Sequence, residues 1–538
     1  MNIKFEYDMV IFNGVIYSID PNESIYESAG VKNGRIVALG EFNQIKNCIG
    51  ENTTVVDLKG KTVLPGFIDA HSHILIFGVN LMNINASTPP NESIEKIQNI
   101  VKKKSLEKGT REWIIGWGYD DTKLKDKRHP NRWDLDKATL DRPVVITRQC
   151  GHTLTANSKA LEIAGINSKT QDPEGGKIER DPVSGEPTGV LHEKAKDLVN
   201  HCIPPYTIDD LTNALILAGE KYTMEGITST HEAALGFTNG ENEFIAFHEA
   251  KKNAKLPVRI YLMIVDTYID DLIKIGIKTG YGNNELKFGP IKLFVDGGFS
   301  GKTAAVEEPY IDDYKKGILV LTQNEINKKV EKAHMEGFQL AVHAIGDRAI
   351  NATLNAFERA LRNKPVSNHR HRIEHCTLAD PSIQDRIKKL GIIPVPQPAF
   401  LYYLGDSYKK NIGEKRMRWV FPINSFLNKG LKVPGSSDRP VVNGSPLQGI
   451  KSAITRNTLA GKIISPEEKI SILEAIKMYT IYPAYAAFEE NIKGSIEIGK
   501  FADMIVLSNN IFEMLPDDIP SIEIEKTIIG GRIVYEKR

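Results

Sequence analysis

The strongest constraint in this chain is a repeated rhythm: a short apolar run, a polar residue where the run ends, then a stretch with helical spacing. The runs are VLPGFIDAH, PVVITRQC, GITSTHE, VRIYLMIVD, IKLFVDGG, FQLAVHAIG, HRIEHC, GIIPVPQP and LKVPGSSD. Short aliphatic runs bounded by turn residues read as buried strands, and strands that alternate with helices build a parallel sheet. The helical period is clearest where Asn324, Ile326, Val330 and Ala333 begin a segment that stops at Gly337, just before the run containing Leu340. Polar residues gathered just past several strand ends favour an α/β fold of the TIM type, a (β/α)8 barrel, over an open sheet. No glycine-rich phosphate loop follows the first run.

Both chain ends read differently. Their short apolar runs are punctuated by Asn13-Gly14, Asn33-Gly34 and Gly530-Gly531, dipeptides suited to tight hairpin turns. Neither end has much core of its own, so residues 1–62 and 494–538 are expected to meet in one small discontinuous β-sandwich domain, with 63–493 as the barrel. The stretch from Arg111 to Val190, with Trp113, Trp117 and Trp133, exceeds an ordinary loop and reads as an insertion beside the barrel mouth.

At 538 residues the chain is too long for a small binding module. A net charge of +1 supplies no global attraction for nucleic acid or anionic lipid, and no zinc-finger, helix-turn-helix or aromatic RNA-binding pattern is present, so neither partner is expected. Cys48, Cys150, Cys202 and Cys376 form no Cys-x-x-Cys pair. The first residues show neither the long apolar stretch nor the small-residue cleavage signal of a secretory leader, no window reaches about 18 apolar residues, and a cytoplasmic protein is expected.

The chemistry concentrates at run ends. In Gly66-Phe67-Ile68-Asp69-Ala70-His71-Ser72-His73 the two imidazoles are two residues apart, on one side of an extended strand, where they either hold one metal ion or pack as ordinary polar groups. His343 and His375 end two later runs; each alone is as readily structural, but four such rings argue for a shared site. Asp438 reads as a metal ligand and proton acceptor, or as a loop cap paired with Arg439. Lys292 lies within an apolar run, where an ammonium is costly. It pairs with Asp296, reaches solvent, or reacts with carbon dioxide to give an anionic carbamate able to bridge two cations. Cys150 is a rival bridging ligand or a buried thiol. His152 divides between loop hydrogen bonding and contact with a substrate carbonyl, Asp296 and Gly297 read as shaping the pocket near Lys292, and His231 reads as a supporting contact. Asp347-Arg348 is explained by an intrahelix charge pair or a helix-start contact.

In order along the chain, GFIDAHSH, IKLFVDG, VHAIGDRA, HRIEHC, SSDRP and GSIEIGKFADMIVL resemble successive landmarks of the amidohydrolase superfamily, specifically amidohydrolase family 3, the YtcJ-like group. The match covers nearly the whole chain. QCGHTLTANSKAL and PTGVLHE also resemble group motifs, with Cys150 standing where an acidic residue is common. The resemblance implies that His71 and His73 bind the more buried metal with Asp438, that His343 and His375 bind an outer one, and that carboxylated Lys292 bridges them. It implies one or two divalent ions, Zn²⁺ first because His-rich sites suit it, with Fe²⁺, Mn²⁺ or Co²⁺ as alternatives. The implied reaction is hydrolysis of an amide-like, non-peptide C–N bond in a small molecule by a metal-held water. Asp438 would carry the proton and His152 assist at the carbonyl oxygen. Formamides, N-acyl amines and cyclic amides fit this chemistry. The alternatives are an ester or lactone hydrolase using the same site, and a catalytically degenerate regulatory or metal-binding protein. The resemblance also suggests a homodimer.

Overall fold

Seven parallel strands pair in chain order: Phe67–Ser72, Ile227–Leu235, Arg259–Val265, Leu286–Phe294, Leu340–Ala344, Arg372–His375 and Ile393–Val395. They belong to a computed structural model that describes residues 5–107, 112–252, 255–311 and 314–538. Met1–Lys4 and Arg111, where two of the sequence-defined segments begin, lie outside the described residues. Between the first and seventh strands runs Gly435–Asp438. Ala70 N donates to Gly435 O (3.2 Å) and Asp438 N to His71 O (2.7 Å), while Ser436 Oγ donates to Pro396 O (2.9 Å). The barrel is thus nearly closed, but the run LKVPGSSD does not form the regular strand its sequence suggests. Pro434 has no N–H to give, and Asp438 turns to a φ of 54°, so the ladder breaks there.

Helices on the outside of the barrel carry the expected period. Gln323–Met335 starts at Thr322, whose hydroxyl accepts from Glu325 N while the Glu325 carboxylate reaches back to Thr322 N, and it buries Ile326, Val330 and Ala333. Gly337 ends it with a φ of 84°, a conformation open to glycine without strain.

The chain ends build two facing sheets. One orders Arg35–Gly40, Ser28–Lys32, Met9–Phe12 and Thr54–Asp57; the other orders Arg532–Glu536, Ile524–Ile529, Met504–Leu507, Thr62–Pro65, Val15–Tyr17 and Ile25–Tyr26. Met9, Ile11, Val31 and Ile36 from the first share a buried core with Ile16, Val63, Met504, Val506 and Ile528 from the second. Asn33-Gly34 and Gly530-Gly531 make the expected tight hairpins. Asn13-Gly14 does not: Asn13 has the positive φ of 59°, but Met9–Phe12 and Val15–Tyr17 enter different sheets. Pairing Met9–Phe12 with both Ser28–Lys32 and Thr54–Asp57 leaves it no free edge for a hairpin partner.

Two compact units emerge from the contacts: Met1–Leu75 with Leu215–Arg538, and Ile76–Ala214. The second contains its own mixed sheet, ordered Gly176–Arg180, Pro187–Glu193, Thr153–Ala156, Val144–Arg148, Ile114–Tyr119 and Ile84–Asn85. The run PVVITRQC therefore supplies a strand of this sheet and not of the barrel. No helix among the described residues is long and apolar enough to cross a membrane.

Candidate metal centre

His71 and His73 leave the carboxyl end of the first barrel strand, and Asp438 reaches them from the segment that closes the barrel. Gly66 permits this strand to sit close to its neighbour: a Cβ there would lie 2.2 Å from Thr228 Cγ2. Asp69 then fixes the closing segment. Its Oδ1 accepts from His71 N (3.2 Å) and Ser437 N (3.0 Å), and its Oδ2 from Ser437 Oγ (2.5 Å). Burial lifts the Asp69 carboxyl to about 6, against these bonds.

One oxygen of Asp438 lies between the two rings, 3.5 Å from His71 Nε2 and 3.2 Å from His73 Nε2. Donor atoms of these three side chains all fall within 4.8 Å of one another, and they form the one such group of three or more found among the described residues. His71 Nε2, His73 Nδ1 and Lys292 Nζ are buried without a hydrogen-bond partner among the described residues. Two imidazoles and a carboxylate with unsatisfied buried donor atoms fit a divalent cation, which would supply the charge that these groups lack. Burial opposes the charge on Asp438, yet contact with both rings holds it well below the ordinary carboxylate range. His375 adjoins His71, with ring centroids 4.9 Å apart, and His343 adjoins His375 at 4.4 Å. Burial drives His375 down to about 3 and His343 well below the usual imidazole range. The backbone is strained at two of these positions, with φ of 69° at His375 and 54° at Asp438.

Lys292 is fully buried in the fourth strand, its Nζ 5.0 Å from the centre of the Phe294 ring. Neither simple sequence reading survives. Asp296 spends both oxygens on Ala305 N, Ile345 N and Gly346 N, at 2.9–3.0 Å, and no solvent reaches the amine. Burial draws Lys292 down to about 8 and lifts Asp296 to about 7. Asp296 thus clamps the loops beside the site.

His231 supports the centre from the second strand through groups that the sequence did not single out. Arg372 and Glu374, both fully buried, are two residues apart on the sixth strand and pair through Nε and Oε1 at 2.5 Å. Glu374 Oε2 accepts from His71 Nδ1, and Arg372 Nη1 donates to His231 Nδ1 (2.9 Å). Gln397 Oε1 likewise meets His375 Nδ1 (2.7 Å), and Glu232 Oε1 lies 3.7 Å from His73 Nδ1. An arginine and a glutamate at alternate positions of an apolar run, as in RIEH, were the available signal.

The remaining candidates make contacts of their own. His152 is an exposed residue of the Ile76–Ala214 unit, with Nδ1 3.0 Å from Glu193 Oε2. Cys150 in the same unit is exposed, which removes its buried-thiol reading. Asp347 opens the helix Asp347–Asn363 and accepts from Glu307 N and Arg348 N, a helix-start contact.

Comparison with known proteins places this geometry. The sequence model of the amidohydrolase family matches residues 54–535. YtcJ of Bacillus subtilis, named as an amidohydrolase, is 32% identical over 97% of this chain and 98% of its own. The N-substituted formamide deformylase of Arthrobacter pascens is 28% identical over 98% of both chains. A metal-dependent hydrolase from Pyrococcus furiosus superposes with a TM-score of 0.77 at 28% identity, covering 94% of this chain and all of that one. The chain belongs to the amidohydrolase family and is a metal-dependent hydrolase that cleaves a non-peptide C–N bond in a small molecule.

Proposed function

We propose that the substrate is an N-substituted formamide or a closely related small amide. In this reading His71, His73 and Asp438 would hold one divalent ion, and His343, His375 and a carbamate on Lys292 would serve a second. The observation that carries the reading is the convergence of His71, His73 and Asp438, with buried unsatisfied nitrogen on both rings. The formamide is supported by the activity for which the Arthrobacter relative is named. Zn²⁺ is supported by a donor set of imidazole and carboxylate without thiolate. Support for the carbamate comes from the amine itself. Fully buried and drawn to about 8, Lys292 keeps an appreciable uncharged fraction near neutrality, and that form attacks carbon dioxide and loses a proton.

A bound divalent ion would supply Lewis acidity, making water more acidic and a carbonyl more electrophilic. The chain's own groups then manage the proton. Asp438 accepts a proton at a carboxylate oxygen as water adds to the formyl carbon, and passes it to the leaving nitrogen. His152 is assigned to the carbonyl oxygen; its place in GHTLTANS supports this, and contact between Nδ1 and Glu193 leaves Nε2 for a ligand. A net charge of +1 and four free cysteines support a cytoplasmic small-molecule enzyme without a nucleic-acid partner, while the homodimer rests on resemblance.

Asp438→Asn tests the assignment. Zinc-loaded protein should cleave N-substituted formamides faster than matched esters, and the variant should lose about 10²–10⁴-fold in kcat/KM while still binding metal through His71 and His73. Full kcat/KM in a metal-loaded, folded variant would remove Asp438 as the proton carrier.

A further inference from the structure

We infer that Arg372 is a positioning residue for the metal centre, acting through Glu374 to make His71 present Nε2, and not Nδ1, toward His73 and Asp438. The inference rests on the reading of those three side chains as metal donors.

Four of the five N–H groups of the buried guanidinium have partners inside the barrel. Nε and Nη2 grip the two oxygens of Glu374 at 2.5 and 2.9 Å, Nη2 also donates to Ala70 O at 2.6 Å, and Nη1 donates to His231 Nδ1 at 2.9 Å. A carboxylate gripped in this way acts as an acceptor. His71 Nδ1, in contact with Glu374 Oε2, must therefore carry the ring proton. Its Nε2, buried without a hydrogen-bond partner and 3.5 Å from Asp438 Oδ1, is left with the free lone pair. The bond to Ala70 O holds the backbone immediately before His71, so one side chain fixes both the ring and the strand that bears it.

His231 completes the brace from the second strand. Its Nδ1 accepts from Arg372, which puts its own proton on Nε2 and keeps the ring neutral. Arg372 thereby ties together the first, second and sixth barrel strands. A buried ion pair is a weak source of stability, because desolvation offsets attraction and apolar replacement is often neutral. Orienting a ligand is a role that an apolar pair cannot perform.

That difference provides the test. Zinc affinity is measured by chelator competition, and folding by thermal unfolding of the zinc-free protein, for the native chain, Glu374→Gln and the double variant Arg372→Met/Glu374→Leu. The double variant removes both charges together and should still fold, losing only the stability of the bonds to Ala70 O and His231, yet it should bind zinc about 10–100-fold more weakly, as should Glu374→Gln. Native zinc affinity in a folded double variant would reduce the pair to a structural one and overturn the inference. Histidine ¹⁵N spectra of the zinc-loaded native protein decide the matter without a variant: His71 should be protonated at Nδ1 and ligated at Nε2, and the reverse overturns it. A native protein that takes up no zinc would instead bring down the reading of the donors on which the brace depends.

Discussion

Protonation around the donors makes metal uptake an exchange with a proton. Burial opposes charge on His73, but Asp438 at 3.2 Å and Glu232 at 3.7 Å outweigh it and lift the ring to about 9. His375, pushed down to about 3 by burial, is already neutral near pH 7. A ligating imidazole must be neutral, so zinc binding should expel about one proton from His73, and the association constant should rise about tenfold per pH unit until about pH 9, then level. Folding follows the opposite sign. A folded pKa of about 9 against an ordinary 6.5 contributes stability that is fully present below 6.5 and lost as pH rises through 9. The zinc-free protein should therefore lose stability over the window in which its zinc affinity grows. Calorimetric titration in two buffers of different ionisation heat reads the proton count, and a value near zero would contradict the His73–Asp438 pairing. His71, His73 and Asp438 were legible because each ends a recognisable run. Glu374 was not, since its importance comes from His71, 303 positions away in the chain.

Periodicity carried much of the secondary structure: eight of the nine apolar runs lie in the barrel and its closure, and the helix ending before Gly337 has the face that its sequence predicts. It did not carry the choice of sheet. PVVITRQC has the same composition as the barrel strands, and its place is set by antiparallel pairing with Thr153–Ala156. Nor does an apolar pattern reveal how near two strands approach, which Gly66 makes measurable. Gly66→Ala would put its methyl group 2.2 Å from Thr228 Cγ2 and 2.3 Å from Oγ1, at the base of the strand that presents His71 and His73. Overpacking of this kind costs about 1–3 kcal/mol. Adding Thr228→Ala removes the two nearest atoms but leaves Thr228 Cβ 2.8 Å away, so it should restore part of the loss, as a double-mutant cycle in urea would read. Equal losses with and without the second substitution would show that the crowding lies elsewhere.

Joining the chain ends to the barrel is the least legible feature, because it depends on contacts between residues hundreds of positions apart. We propose that residues 1–62 and 494–538 act as one sandwich domain that does not unfold independently of the barrel. Asp503 supports this from the C-terminal side. Its carboxylate receives Arg259 Nε (2.7 Å) and Nη2 (3.1 Å) from the third barrel strand and Gly530 N (2.7 Å) from the last hairpin, while its carbonyl accepts from Gly66 N (2.9 Å). Arg259 and Asp503 are both buried. Breaking such a pair from one side strands the other charge, so Asp503→Asn should cost about 3–5 kcal/mol, less whatever Glu285 recovers for Arg259. If sandwich and barrel form one cooperative unit, zinc release and loss of far-ultraviolet ellipticity should share a single denaturant midpoint, and the substitution should lower both together. Separate transitions, with the zinc midpoint unchanged, would show that the sandwich comes apart from the barrel on its own.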